Sequence, residues 1–141
     1  MSDYRFETVE GEIDPRDKAV MVAGMLDYHA SHGHPRKVDT HSILIKNDDT
    51  LIGCVIVTFL YNGMEIASLW VDEKLRGQGL GQKLMEMAEA EGKKRGATFA
   101  YANTFTWQAP GFYEKLGYKL YGKLEDFPVG NSLSYYRKSI I

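Results

Sequence analysis

The sequence predicts an α/β domain built on a mixed central sheet of about seven strands with flanking helices. Three stretches carry that expectation. Glu65 to Val71 is short, apolar and bounded by Asn62-Gly63, the pattern of a mostly buried strand. A glycine-rich turn follows it, Val71-Asp72-Glu73-Lys74-Leu75-Arg76-Gly77-Gln78-Gly79-Leu80-Gly81. Beyond the turn, Leu80, Leu84, Met87 and Ala88 recur at helical spacing and mark one apolar face of a helix. Thr98 to Phe105 then reads as another strand. Strand, helix and strand in that order require a crossover, so the strands ending at Val71 and beginning near Thr98 are expected to be parallel.

The remaining elements follow in chain order. Tyr4 to Val9 alternates and reads as a first strand, broken by Gly11 to Asp17. Asp14-Pro15 is an N-cap followed by proline at the first helical position, which predicts a helix from about Pro15 to Ala30 with Ala19, Val22, Ala23 and Leu26 on one face. Ser31 to Pro35 ends it, and a loop is expected to Thr40. His41 to Lys46 and Leu51 to Tyr61 read as strands around an Asn47-Asp48-Asp49 turn, the second of them central and buried on both faces. Asn62-Gly63 is a hairpin signal, so three antiparallel strands lead into the glycine turn. Lys93, Lys94 and Arg95 before Gly96 suit the C-terminus of the long helix. Ala109 to Leu116 is a short helix closed by Gly117, and Tyr118 to Leu124 and Leu133 to Ile140 are two final strands.

Composition narrows the functional classes. At 141 residues, the chain is expected to form a single domain over residues 1–141. A net charge of -2 argues against a nucleic-acid platform, which shows a basic excess. The longest apolar run, Leu51 to Leu60, falls short of the ~20 residues of a membrane span. One cysteine, Cys54, cannot form an internal disulfide, and no signal peptide precedes the fold, so a cytoplasmic location is expected. His29, His32 and His34 match no ligand spacing and have no acid cluster beside them, so no metal site is expected.

The glycine turn reads as a phosphate site. Gly77, Gly79 and Gly81 allow backbone N–H groups to close on an anion, and a helix N-terminus adds unpaired donors and a positive dipole end. After Asp72 and Glu73 no acid occurs until Glu86, whereas Lys74, Arg76 and Lys83 are basic. The turn is not a P-loop, since Gly81 is followed by Gln82-Lys83, and the even glycine spacing is not the dinucleotide fingerprint. One charge at a helix terminus gains only ~0.3–1 kcal/mol. Micromolar affinity needs about 8 kcal/mol, so the ligand must also touch the neighbouring strand.

Arg76-Gly77-Gln78-Gly79-Leu80-Gly81 matches the Gln/Arg-x-x-Gly-x-Gly/Ala signature of the GNAT family of N-acetyltransferases, and Phe112-Tyr113-Glu114-Lys115-Leu116-Gly117-Tyr118 is similar to that family's second motif. The chain therefore resembles a small bacterial-type member. The resemblance implies acetyl-CoA as cosubstrate, with its pyrophosphate on the backbone of Arg76, Gly77, Gln78, Gly79, Leu80, Gly81 and Gln82. It implies further that the strand ending at Val71 splays from its parallel neighbour, so that the backbone of Leu69 and Val71 pairs with the pantetheine arm. Glu65 stands eleven residues before Arg76, similar to the base glutamate of one branch; a solvated acid at the strand end is the alternative reading. Tyr113 matches the tyrosine that assists the departing thiolate, and Phe112 is expected to pack.

A family asparagine seven residues before Tyr113 is replaced by Thr106, here the expected pantetheine contact, with Asn103 and Thr104 as nearby substitutes. Acceptor recognition falls by resemblance to Tyr28, His29 and His32 and to the loop at Asp126 and Phe127. The implied activity is direct acetyl transfer to a primary amine of a small molecule. The alternatives are a protein lysine or N-terminal acetyltransferase and a non-catalytic acyl-CoA-binding module. A homodimer through the C-terminal strand edge is the expected assembly.

Overall fold

A computed structural model describes residues 3–141, which fall into two units, one up to Arg36 and one from Lys37 to Ile141. The first unit holds one helix, α1 (Pro15–Ser31). Its start follows from the sequence: the Asp14 carboxylate accepts the Arg16 N–H at 2.8 Å, and Pro15 occupies the first turn, where no N–H is needed. None of its residues is buried. At the other end, His32 Nδ1 lies 2.9 Å from the Tyr28 carbonyl oxygen and the two rings touch at 4.4 Å, tilted by 49°, so both side chains take part in closing the helix. Tyr4 to Val9 is not a strand. Phe6 is 94% exposed and the segment has no ladder partner, and alternation without a neighbouring strand leaves backbone groups to water.

The second unit is a six-stranded sheet, so the expected seventh strand is absent from it. Its elements are β1 (Val38–Asn47), β2 (Thr50–Leu60), β3 (Gly63–Val71), α2 (Leu80–Lys94), β4 (Phe99–Phe105), α3 (Pro110–Lys115), β5 (Lys119–Glu125) and β6 (Ser132–Ser139), and a single 3-10 turn, Glu73–Leu75, follows β3. The spatial order is β1-β2-β3-β4-β6-β5. β3 and β4 run parallel, as the crossover demands, and every other neighbouring pair is antiparallel. β1 begins three residues before the expected His41, because Val38, Asp39 and Thr40 continue the ladder against β2.

Two local features differ from the sequence expectation. Leu60 pairs with Gly63, so the hairpin loop is Tyr61-Asn62, with Tyr61 at φ 51°. Gly63 opens β3 instead, and a Cβ there would lie 2.9 Å from the tip of the Phe99 ring, which would have to move. On α2 the buried residues are Leu84, Met85, Ala88 and Gly92, whereas Met87 is 44% exposed. The helix is turned by a fraction of a residue from the expected face, since Gly92 lets it approach Met64 and Ile140 closely.

The core lies between α2 and one face of the sheet, where Val55, Val57, Phe59, Met64 and Ile66 meet Leu84, Met85 and Ala88. β2 is therefore buried on one face only; Cys54, Ile56 and Thr58 on its other face are half-buried. Next to this core, Tyr113, Tyr118 and Tyr136 pack ring against ring at 5.6–6.0 Å. The Tyr118 hydroxyl donates to Glu89 at 3.0 Å and the Tyr136 hydroxyl to Glu114 at 2.9 Å, and Glu89 also pairs with Lys138 at 2.6 Å.

Burial pushes the Tyr113 phenol up to about 12. It also raises Tyr118 and Tyr136, with further increases from the Glu89 and Glu114 carboxylates beside them. Above pH 10 an unfolded chain releases these protons while the folded chain keeps them, so stability is full below pH 10 and falls as pH rises through 12. The expected slope approaches ~1.4 kcal/mol per pH unit for each such tyrosine. Urea midpoints should hold up to about pH 10 and drop between pH 10 and 12, and a midpoint constant over that range would show that these phenols ionise freely.

Candidate active site

The β3–β4 ladder lasts for three pairs only, Gly63 with Phe99, Met64 with Ala100 and Glu65 with Tyr101. β3 nevertheless continues to Val71 and β4 to Phe105. The cause of the parting lies on the other side of β3. Its register against β2 jumps from Val57 with Ile66 to Ile56 with Ser68, leaving Ala67 as a bulge. A bulge bends the strand and tightens its twist, which turns the end of β3 away from β4. From Ile66 onward the β4-facing edge of β3 has no ladder partner, a row of peptide groups open to an extended ligand.

A cleft of 680 Å³ occupies the gap. One wall is Leu69, Trp70 and Val71, and the opposite wall is Trp107, Gln108, Ala109 and Phe112. Its end is closed by Leu75, Arg76, Gly77, Gly79, Leu80, Gly81 and Gln82. Gly79 is the N-cap of α2 at φ 81° and provides no side-chain cap. The first intrahelical bond runs from Lys83 N–H to the Gly79 carbonyl, so the N–H groups of Leu80, Gly81 and Gln82 stay available. The first turn of α2 contains no acid. Arg76 Nε donates to the Val71 carbonyl at 3.2 Å, which ties the guanidinium to the end of β3. At Gly81 a Cβ would meet the Phe112 ring at 3.4 Å, ordinary van der Waals contact, so this position packs against the opposite wall without space alone demanding glycine.

Leu69, Val71, Arg76, Gly77, Gly79, Leu80, Gly81 and Gln82 are thus brought together in one cleft. Gln78 belongs to the same turn without lining the cleft. Thr106 stands apart from this group. Its hydroxyl accepts the Ser132 N–H at 2.7 Å and lies 3.1 Å from the Ser132 carbonyl, which fastens the end of β4 to β6, and it does not line the cleft. The Thr104 hydroxyl accepts the Ala109 N–H at 3.1 Å and Asn103 is exposed, so neither supplies the missing amide. Gln108 does line the cleft, a residue the motif comparison overlooked. Its Oε1 accepts the Phe105 N–H at 2.8 Å, which fixes the side chain and leaves the amide N–H2 as a donor. Its position next to Trp107, just before the Pro110 that starts α3, was the available signal.

Tyr113 is 6% exposed and sits behind Phe112, its ring packed against Tyr118 and Tyr136; it is not on the cleft wall. Phe112 packs on the core and lines the cleft as well. Glu65 is half-buried at the point where the ladder ends, on the sheet face opposite Met64 and Ile66. A ligand arm entering at α2 and following β3 reaches Glu65 four residues past Leu69, ~13 Å further along the strand.

The model of the acetyltransferase (GNAT) family matches residues 7–118. The chain belongs to that family. It is 30% identical to blasticidin-S acetyltransferase of Streptomyces morookaense, over 89% of each chain, and 36% identical to an acetyltransferase of Agrobacterium fabrum, over 77% of this chain and 80% of that one. An acetyltransferase structure from Bacillus cereus superposes with a TM-score of 0.83 at 28% identity, covering 94% of this chain and 97% of the other. This GNAT protein is an acetyl-CoA-dependent N-acetyltransferase. The cleft fits the cosubstrate: three free N–H groups and no acid meet at the anion end, and an unpaired strand edge lines the length of the arm.

Proposed function

We propose that the protein transfers the acetyl group of acetyl-CoA directly to a primary amine of a small molecule in the cytoplasm. The observation that carries this reading is the cleft itself, with a helix N-terminus at one end and the unpaired edge of β3 leading from it back toward Glu65, where the β3–β4 ladder ends. Bound acetyl-CoA supplies an activated acyl group on a thiol that leaves readily. Gly77, Gln78, Gly79, Leu80, Gly81 and Gln82 hold its pyrophosphate, Leu69 and Val71 pair with its arm, and Gln108 takes the amide role for which Thr106 is not available. The relative that is named for acetylating blasticidin S supports a small-molecule acceptor.

The amine arrives protonated, since an alkylammonium has a pKa near 10. Glu65 accepts that proton, directly or through water. Tyr113 has a different limit. A phenol held at about 12 gives its proton up to a thiolate near 8.5 only against several pKa units, and its ring stands behind Phe112 off the cleft wall, so Tyr113 backs that wall and is not the group that protonates the departing sulfur. Tyr113→Phe should therefore keep kcat within about twofold of the parent from pH 6 to 9, with acetyl-CoA affinity unchanged. A fall in kcat of about tenfold or more with that affinity intact would return Tyr113 to the mechanism.

The direct test is calorimetric titration with acetyl-CoA and, in parallel, with adenine nucleotides that lack pantetheine, followed by an acetyl-transfer assay over a panel of primary amines. Micromolar binding selective for acetyl-CoA and turnover of at least one amine are expected. Binding without turnover of any amine, small or peptidic, would instead describe an acyl-CoA-binding module.

A further inference from the structure

A second cavity, of 400 Å³, lies on the sheet face away from α2, beside the Tyr61-Asn62 turn. Its walls are the rings of Phe99, Tyr101 and Tyr121, with Gly63 and Arg137 among the other lining residues. Gly63 shapes it, because the Phe99 ring occupies the place a side chain would take. The Arg137 guanidinium in turn lies 4.1 Å over the Phe99 ring, which holds the planar cation at the rim. Glu65 pairs with Tyr101 and Tyr101 with Arg137, so the three form one cross-strand row on the same face. Strands ~4.8 Å apart place the backbones of Glu65 and Arg137 roughly 10 Å from each other. Neither side chain has an ion-pair partner among the described residues. Arg137 lines this cavity, and Glu65 stands two strands away in the same row.

A carboxylate and a guanidinium left unpaired across an aromatic floor are complementary to a ligand with the opposite arrangement. We propose that this cavity is the acceptor subsite and that it selects a primary amine carried on a flat apolar body that ends in a carboxylate. The inference rests on the acetyltransferase reading and specifies its substrate class. The amine meets Glu65 at the end of the cosubstrate cleft, the body stacks between Phe99, Tyr101 and Tyr121, and the carboxylate takes two parallel N–H bonds from Arg137. A fixed, planar fork suits this better than a lysine would. The same guanidinium repels a second ammonium, so acceptors that carry several cationic amines are disfavoured.

Three amines with one ring test the idea: 4-(aminomethyl)benzoate, benzylamine and 1,4-bis(aminomethyl)benzene, which differ only in the charge of the far end. For the parent protein, kcat/KM should be about tenfold or more higher for the benzoate than for benzylamine, and lowest for the diamine, as a charged hydrogen-bonded pair allows. Arg137→Gln should bring the three within about twofold, with the benzoate's loss in KM, and Arg137→Lys should restore part of the preference. Calorimetric titration of the benzoate into protein saturated with CoA gives a readout independent of turnover and should weaken in parallel. Equal kcat/KM for all three in a protein that acetylates them, or a preference that survives Arg137→Gln, overturns the subsite and leaves the acetyltransferase reading intact. Failure of acetyl-CoA to bind overturns that reading instead. The benzoate titration into free protein then decides the cavity by itself, with Arg137-dependent binding supporting it and no binding sinking it.

Discussion

Gly79→Asp is expected to abolish acetyl-CoA binding while leaving the protein folded. The two effects separate for physical reasons. Gly79 sits at the N-cap of α2 at φ 81° with open space around the position a Cβ would take. Aspartate tolerates left-handed backbone better than most residues, so the strain at φ 81° is smaller than for other side chains and the fold is expected to survive. For the ligand the same change is severe. A carboxylate about 4 Å from a phosphate costs about 4 kcal/mol at a surface-like dielectric, close to a thousandfold in affinity. The new side chain also competes for the N–H groups of Gly81 and Gln82. Gly79→Asn has the same shape without the charge and should lose far less. Calorimetry with acetyl-CoA on both variants, beside their urea midpoints, checks this. An aspartate variant with parental stability and parental affinity would mean that the pyrophosphate does not bind at this turn.

The second large effect is expected at Glu65. At pH 7 an amine of pKa near 10 is about one part in a thousand neutral, and general base catalysis typically contributes ~10²–10⁴. Glu65→Gln keeps the shape and removes the base, so kcat/KM should fall by about a hundredfold at pH 7. The deficit should shrink to less than about tenfold near pH 9.5, where much of the amine has already lost its proton. This range stays below the pH at which the buried tyrosines destabilise the fold, so the profile reports chemistry. Acetyl-CoA affinity should not change. A variant whose profile runs parallel to the parent at every pH would make Glu65 a structural acid of the sheet.

Much of this was legible in local sequence because the responsible interactions are local. Asp14-Pro15 starts α1, Gly96 and Gly117 lie just beyond α2 and α3, and the glycine turn leads into the N-terminus of α2. Each depends on backbone conformation or capping within a few residues. Tyr4 to Val9 was misleading for the complementary reason. Alternation shows that a segment is suited to a strand, but only a neighbour with free edge groups makes it one. Met87 shows the same limit at a helix, where the 3.6-residue period defines a stripe but the close approach at Gly92 sets its rotation.

For the site itself, the residues of the anion turn could be named from their order alone, since consecutive peptide N–H groups at a helix start are a property of the chain. The opposite wall could not. Thr106 occupies the motif position, yet its hydroxyl bonds to Ser132, 26 residues away, while Gln108 faces the cleft. The row of Glu65, Tyr101 and Arg137 likewise exists only through β-sheet register between three strands. Sequence by itself determined the family, the order of elements and the phosphate turn, because these follow from short-range spacing. The bulge at Ala67, the parting of β3 from β4 and the juxtaposition of Glu65 with Arg137 were decided by tertiary structure, because strand register is a contest among long-range pairings that no local window contains.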